Sequence, residues 1–285
     1  MRWPVATGIQ VLSDDREMSL TDDLVHRYLD LLGLDAVPVS VAGLSQLVAR
    51  HLVTVPFENV SKRLYGRRGA DDIPDLATWL DDIARYHLGG TCFANNYHLW
   101  LLLRRLGFEA RLCGAAMGRR PDVHLALVVV CEGREYLVDV GFGAPFRAPV
   151  PRDERGPLVF PLGDQRWVVL PQDATGRTRV EYQAGGTTVY AYMLDPRPRA
   201  WPEFRGPVAA SYHHEAHFMN MLRIVRFLPE GAIILADQVL TRYPAGSGPA
   251  LALTPAVLPQ AVEDAFGIPA SLVRTALGHD GGPAQ

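Results

Sequence analysis

The stretch that decides the fold of the first half of the chain is LGGTCFANN, residues 88–96. A pair of glycines breaks one helix pattern, and Cys92 follows them at the start of the most hydrophobic helix candidate in the chain. A thiol in the first turn of a helix lies beside unpaired N–H groups and the positive end of the helix dipole, and both favour the thiolate. Because thiolate is the nucleophilic form of cysteine, this placement predicts a catalytic Cys92.

Amphipathic patterns on both sides of this stretch predict a helical lobe in the first third of the chain. Each pattern carries apolar residues on one stripe and begins at a residue that can cap a helix. The predicted helices span residues 21–32 (with Ser19 as an alternative cap), 40–52, 75–88 and 91–107. Four such helices on short connections are expected to pack as a bundle.

From Ala110 onward the pattern changes to short β-rich segments separated by glycine, proline and aspartate, which predicts an antiparallel sheet or barrel. The segments are residues 123–131, 135–140, 166–170, 177–182 and 187–193. A proline-rich stretch at 195–202 predicts a boundary. Beyond it the sequence predicts a hairpin, residues 221–227 and 232–237, and two helices that start at Thr254 and Pro269.

His124 and Asp139, on two adjacent predicted strands, supply the partners that a catalytic cysteine needs. If Glu132 and Gly133 form a two-residue hairpin loop, His124 and Asp139 are diagonal neighbours on one face of the sheet, roughly 7–8 Å apart at the backbone. A three-residue loop would place them on opposite faces. Asp139 lies between two valines, where an unpaired carboxylate is costly to bury, so we expect His124 to be its partner.

The three residue types together predict acyl transfer. Asp139 would orient the imidazole, His124 would take the proton from Cys92, and the thiolate would attack an activated acyl carbonyl. The expected intermediate is a thioester on Cys92, from which an amine collects the acyl group by ping-pong kinetics. Cys113 and Cys131 lack such surroundings and are expected to be structural.

Composition argues against other classes of partner. The formal net charge is −3 and no block of Lys and Arg is present, so neither nucleic acid nor an anionic membrane is expected to bind. Three cysteines without paired spacing and the absence of a secretory leader favour the cytoplasm. Three imidazoles, His213, His214 and His217, are spaced so that they can converge on a metal ion, but no fitting carboxylate or cysteine motif joins them, so no metal is expected.

Several strings match a known family in order and spacing, from about residue 20 to at least 205. VPFEN at 55–59, GGTCF at 89–93, Asn96, His124-Leu125 and YLVDVGFG at 136–143 resemble the arylamine N-acetyltransferases. The resemblance implies an α+β fold with an N-terminal helical bundle (1–112), a central antiparallel β-barrel (113–205) and a C-terminal α/β lid (206–285). It also implies a Cys92–His124–Asp139 triad, with acetyl-CoA or another acyl thioester as co-substrate and no permanently bound cofactor.

The resemblance extends to the residues that would bind the substrates. It implies that Phe57, Phe93 and Phe142 line the pocket for an arylamine or other small amine, and that Gly141 and Gly143 let the coenzyme approach the backbone. Val123 also falls at the donor site, although the family commonly has threonine there, and valine removes a hydroxyl that could help bind the donor.

Two further departures remove charge near the nucleophile. Leu88 stands where the family usually has arginine, and Ala94 where it commonly has glutamate, while Glu58 is retained. These changes keep open a related activity, an amide synthase that takes its acyl group from a carrier protein or another thioester. From a different class, a thiol hydrolase or transglutaminase-like enzyme would use the same triad, and a non-catalytic binding protein on an inherited fold is a third alternative.

Overall fold

The computed structural model describes residues 20–244 and 250–278. The predicted helices of the first third are present close to their expected limits, together with a short strand and an additional helix between the second and third of them. The elements are α1 (Asp22–Leu32), α2 (Val41–Thr54), β1 (Phe57–Glu58), α3 (Val60–Arg67), α4 (Leu76–Tyr86) and α5 (Cys92–Arg105).

The helix limits follow from local capping. The Thr21, Ser40 and Asp75 side chains each accept a hydrogen bond from a backbone N–H in the first turn of the helix that follows. Gly33 ends α1 in the left-handed conformation, as predicted. Helix α4 ends at His87, with a φ of 54°, before the glycine pair that was expected to end it.

The middle of the chain forms an eight-stranded antiparallel sheet, which curls into a half-barrel. Its spatial order is β5-β4-β3-β2-β9-β8-β7-β6. The strands are β2 (Glu109–Met117), β3 (Arg120–Cys131), β4 (Arg134–Val138), β5 (Val150–Pro151), β6 (Leu158–Leu162), β7 (Gln165–Val169), β8 (Thr178–Ala184) and β9 (Thr187–Leu194). Strand β6 was not predicted because it contains Pro161, which is tolerated at its position on the edge of the sheet.

The turn between β3 and β4 has the two-residue loop on which the sequence argument depends. Cys131 pairs with Arg134, and the intervening Glu132 and Gly133 both have positive φ, 50° and 77°. Two positive φ values are the requirement of a type I′ hairpin turn. The register of this hairpin is therefore the one that puts His124 and Asp139 on the same face.

The C-terminal part begins with a 3₁₀ turn and two short helices, followed by a second antiparallel sheet and a helix pair. These elements are the 3₁₀ turn (Trp201–Phe204), α6 (Arg205–Ser211), α7 (His217–Asn220), β10 (Arg223–Phe227), β11 (Ala232–Ala236), β12 (Val239–Tyr243), β13 (Leu251–Ala252), α8 (Leu258–Phe266) and α9 (Ala270–Leu277). The strand order is β1-β10-β11-β12-β13, so the short β1 of the helical lobe pairs with β10. This pairing joins the first and last parts of the chain.

The expected α+β class is confirmed, with helices before and after an antiparallel half-barrel. The proposed limits at 112/113 and 205/206 fall inside β2 and α6, and the three-part division stays a prediction. Helix α5 is central to the fold, because its residues from Cys92 to Leu103 are all buried. In the described part of the chain, no helix combines the length and apolar character needed to cross a bilayer.

Candidate active site

Cys92 is the first residue of α5 and is 6% exposed. The two glycines before it allow the backbone to pass close to β1. A Cβ on Gly89 would lie 2.1 Å from the Pro56 carbonyl oxygen, and the Gly90 carbonyl accepts a hydrogen bond from the Glu58 N–H at 3.1 Å. The thiol is thereby held at the start of a buried helix, where the sequence predicted it.

The structure brings His124 and Asp139 to the Cys92 side chain. His124 Nε2 lies 2.8 Å from Asp139 Oδ2, and both side chains are almost fully buried. The negative charge of Cys92 also acts on His124 and raises the pKa of its imidazole. A Cβ at Gly141, whose N–H donates to Asp139, would lie 2.5 Å from Cys92 Cα, so the three residues lie together as a Cys-His-Asp triad requires.

Four donors surround the Asp139 carboxylate. Besides His124, it accepts hydrogen bonds from Asn96 Nδ2 and the Gly141 N–H, each at 2.9 Å, and from the Tyr192 hydroxyl at 2.8 Å. Burial alone would raise the pKa of Asp139, but the charge of His124 and these hydrogen bonds outweigh burial and lower it. The residue is therefore held as a carboxylate.

The imidazole of His124 is stabilised in its charged form. Burial alone would lower the pKa of His124, but the negative charges of Asp139 and Cys92 and the hydrogen bond to Asp139 raise it to about 10. Its ring stacks on Tyr192, with centroids 4.5 Å apart, and meets the edge of Phe142 at 5.4 Å. The arrangement favours an imidazolium beside the cysteine sulfur.

Tyr192 is a site residue that sequence reasoning missed. It lies in a strand that was predicted, but its relation to His124 depends on how distant strands pair. His124 pairs with Ala115 on β2, and Ala115 pairs with Leu194 on β9, so Tyr192 lies on the same face as His124. No local pattern encodes this neighbour.

Gly141 permits a close contact inside the triad. A Cβ at this position would lie 2.5 Å from Cys92 Cα and 2.7 Å from Asn96 Nδ2. Gly143 has a φ of 67°, and a Cβ there would lie 3.3 Å from Val225 and 3.4 Å from Phe57. Gly141 thus faces the helix that carries the nucleophile, and the coenzyme role expected for both glycines stays a prediction.

The expected substrate-binding aromatic residues lie in different surroundings. Phe142 is half-buried against His124, and Phe57 is buried with its ring 5.7 Å from Phe218. Phe93 packs against Phe204 within the hydrophobic core of the helical lobe. Val123 is half-buried and precedes His124 on β3, so its side chain points to the opposite face of the sheet. The roles proposed for these residues in binding substrates remain predictions.

Leu88 and Glu58 show how the fold accommodates an apolar residue at position 88. Leu88 is 2% exposed and belongs to an apolar cluster with Val60. Glu58 is fully buried, and its carboxylate accepts hydrogen bonds from Ser61 Oγ, the Ser61 N–H and the Gly89 N–H at 2.5–3.0 Å. Burial raises the pKa of Glu58, although these hydrogen bonds oppose the shift. The hydrogen-bond donors to the buried Glu58 carboxyl group are therefore neutral.

Lys62, in the first turn of α3, is a charged residue near Cys92 that sequence reasoning also missed. Its side chain is buried, Nζ donates to Ser211 Oγ at 2.7 Å, and the ammonium lies 3.7 Å from the centre of the Tyr212 ring. Burial lowers the pKa of Lys62 to about 8, and the negative charge of Cys92 opposes that shift. Residues 60–67 gave no helix signal, so this placement could not be predicted.

Two of the three histidines at positions 213, 214 and 217 lie side by side, with the His213 and His214 ring centroids 4.2 Å apart. His213 and His214 are exposed, and His217 lies near the Tyr190 ring, 6.1 Å away between centroids. Among residues 20–244 and 250–278, no group of three His, Cys, Asp or Glu side chains could hold a metal ion. Cys113 and Cys131 are buried free cysteines, and burial raises the pKa of Cys113 to about 12.

Comparison with known proteins gives concordant results. Residues 40–273 match a family model described as N-acetyltransferase. The arylamine N-acetyltransferase of Mycolicibacterium smegmatis is 33% identical over 212 residues, which are 69% of this chain and 74% of that protein. The solved arylamine N-acetyltransferase of Mycobacterium abscessus has a TM-score of 0.75 at 21% identity, covering 96% of this chain and 99% of that one. The Mycobacterium marinum arylamine N-acetyltransferase, solved in complex with CoA, has a TM-score of 0.72 at 22% identity, covering 89% and 98%.

Proposed function

The chain belongs to the arylamine N-acetyltransferase family and is an acyltransferase, and from this premise we propose that it moves an acyl group from acetyl-CoA to a small amine through a Cys92 thioester. The observation that carries the proposal is the buried His124–Asp139 hydrogen bond beside Cys92, at the start of α5. The CoA complex of the Mycobacterium marinum protein supports CoA as the donor's carrier group.

In the first half-reaction, the Cys92 thiolate attacks the carbonyl carbon of the acetyl thioester. The new C–S bond forms at Cys92, the bond to the CoA sulfur breaks, and the His124 imidazolium gives its proton to the departing thiolate. Asp139 remains ionised throughout and keeps the imidazole oriented, because Asn96, Gly141 and Tyr192 hold the carboxylate in place.

In the second half-reaction, an arylamine-like nitrogen attacks the Cys92 thioester. The C–N bond forms, the C–S bond breaks, and His124 takes the proton that the nitrogen loses, which restores the thiolate–imidazolium pair. Two sequential half-reactions at one sulfur predict ping-pong kinetics. The half-buried Phe142 ring beside His124 is positioned to contact the acceptor.

Intact-protein mass spectrometry after incubation with acetyl-CoA tests the proposal. We expect one acetyl group on the wild-type protein, none on Cys92→Ala, and an unchanged adduct on Cys113→Ala, in which a buried cysteine outside the triad is removed. Addition of an arylamine should discharge the adduct and yield the acetylated amine.

Other outcomes of the same experiment would identify the alternatives. Loading only from a carrier-protein thioester would replace the proposal with amide synthesis in a biosynthetic pathway. Free acid as the main product in excess amine would indicate a thiol hydrolase. A protein that is not acylated by any thioester would refute acyl transfer through Cys92.

A further inference from the structure

Lysine occurs once in this chain. Of 28 basic Lys and Arg residues in the sequence, Lys62 is the single lysine. It does not face solvent, where most lysines lie, but is 5% exposed beside the candidate active site. The other basic residues are all arginines, so a single lysine that is buried needs a physical explanation.

The surroundings of Lys62 leave its charge largely uncompensated. Nζ has Ser211 Oγ as a hydrogen-bond acceptor and the Tyr212 ring as a cation–π partner, and both are neutral. Within residues 20–244 and 250–278, no carboxylate lies within 4.0 Å of this ammonium. A buried ammonium without an anionic partner is unfavourable, so the site needs a nearby negative charge.

The groups that face Lys62 come from three elements. From β1, Glu58 lies four residues earlier, but its carboxylate is turned to Ser61 and Gly89. From the end of α6, Tyr212 presents its ring. Burial raises the pKa of the Tyr212 phenol, and the negative charges of Asp72, Glu58 and Asp71 raise it further. From α5, Cys92 contributes a negative charge that raises the pKa of Lys62 and so opposes the larger effect of burial, which lowers it.

The backbone framework brings Lys62 and Cys92 together from two sides. The Glu58 N–H is bonded to the Gly90 carbonyl, which fixes the start of α3 beside the start of α5. On the other side, Ser211 is the last residue of α6. The 3₁₀ turn before α6 ends at Phe204, which packs against Phe93, the residue after Cys92. The helix that carries Lys62 and the residue that accepts its hydrogen bond are therefore both tied to the segment that presents the sulfur.

We propose that the Lys62 ammonium is the buried counterion of the Cys92 thiolate, and that capping the sulfur, which removes its negative charge, makes Lys62 release its proton more readily. Lys62 is thus a positioning residue that acts through Cys92. The counterion role stands without the proposed function; the consequence for the acyl-enzyme rests on it, because a thioester is also an uncharged cap.

The single lysine makes a direct test possible. Protein labelled with ¹³C at the lysine ε-carbon gives one lysine resonance, whose pH titration reports the Lys62 ammonium. We expect the midpoint to fall by about one pH unit when iodoacetamide caps Cys92 or when Cys92→Ser removes the thiolate, since a nearby charge in a partly desolvated site is worth at least that much. An unchanged midpoint in both proteins would overturn the proposal. Neither measurement needs an acyl donor, so failure of the proposed function would leave this test intact.

Substitution of Lys62 supplies a second readout. At pH 7, Lys62→Met should slow alkylation of Cys92 by iodoacetamide about tenfold, while Lys62→Arg, which keeps the charge, should retain most of the rate. The matched control is Arg63→Met, which removes the neighbouring basic side chain, bonded to the Ala276 and Met221 carbonyls. If alkylation of Cys92 slows equally in Lys62→Met and Arg63→Met, Lys62 has a purely structural role. If either variant fails to fold, the titration of the Lys62 resonance decides the case.

Discussion

Replacement of Gly141 by alanine tests whether the triad depends on the close contact between two chain segments. The added Cβ would lie 2.5 Å from Cys92 Cα, whereas ordinary carbon contacts are 3.4–4 Å. Both atoms belong to or adjoin the backbone, so the loop after β4 must move away from α5 until the separation reaches at least 3.4 Å. Gly141 does not have a positive φ in the structure, so the perturbation is steric.

The displacement passes directly to Asp139. The Gly141 N–H and Asn96 Nδ2 both donate to Asp139 at 2.9 Å, and the Val140 N–H donates to Asn96 Oδ1 at the same distance. A shift of about 1 Å breaks such hydrogen bonds and misaligns catalytic groups, which typically lowers rates about 100-fold. Overpacking of this kind should also lower the free energy of unfolding by about 1–3 kcal/mol.

The assay is the single-turnover rate of acetylation at Cys92, followed by intact mass, together with the rate of alkylation by iodoacetamide. Gly143→Ala is the matched control for the alkylation rate, which needs no coenzyme. The nearest neighbours of its added Cβ are side-chain atoms at 3.3 and 3.4 Å, and the positive φ should cost about 1 kcal/mol of stability without moving Asp139. A Gly141→Ala protein that acylates at the wild-type rate and only binds acetyl-CoA more weakly would refute the steric argument. It would instead support the coenzyme role implied by the family resemblance.

Three more outcomes follow from the buried polar groups. Tyr192→Phe keeps the ring on His124 but removes the hydrogen-bond donor to Asp139, so the free energy of unfolding measured in urea should fall by roughly 1.5–3 kcal/mol. The control is Tyr190→Phe, at a tyrosine that is 48% exposed, which should change the free energy of unfolding by less than about 0.5 kcal/mol. Burial lowers the pKa of His51 to about 3, so the protein takes up a proton at His51 when it unfolds below pH 6.5. The free energy of unfolding should therefore fall by about 2 kcal/mol from pH 6.5 to 5. This loss should disappear in His51→Leu and persist in the control His214→Leu. The negative charges of Asp139 and Cys92 raise the pKa of His124 to about 10, so NMR should show its imidazole still protonated between pH 6.5 and 9. The same imidazole should titrate at lower pH in Cys92→Ala; an imidazole that titrates near pH 6.5 in both proteins would contradict this expectation.

Local signals sufficed for the parts of the site that lie close in sequence. The caps of the helices, the two-residue turn and the residue count between His124 and Asp139 are encoded within single elements or one hairpin, and the structure has them as expected. Tyr192 and Lys62 are different, because the first reaches Asp139 across 53 residues and the second meets Ser211 across 149. Such contacts depend on strand order and on the docking of α6, which periodicity and turn chemistry do not specify.

The electrostatic surroundings of Cys92 consequently cannot be inferred from the residues beside it in the sequence. Leu88 and Ala94 remove charges that the family commonly places there, and the structure fills that side with apolar packing and with neutral donors to Glu58. Positive charge instead arrives from His124 on the sheet and from Lys62 on a helix that the sequence did not predict. If Lys62 is the counterion of the thiolate, a cation at position 88 is not needed to hold the charge of Cys92, and the apolar packing of Leu88 is consistent with that.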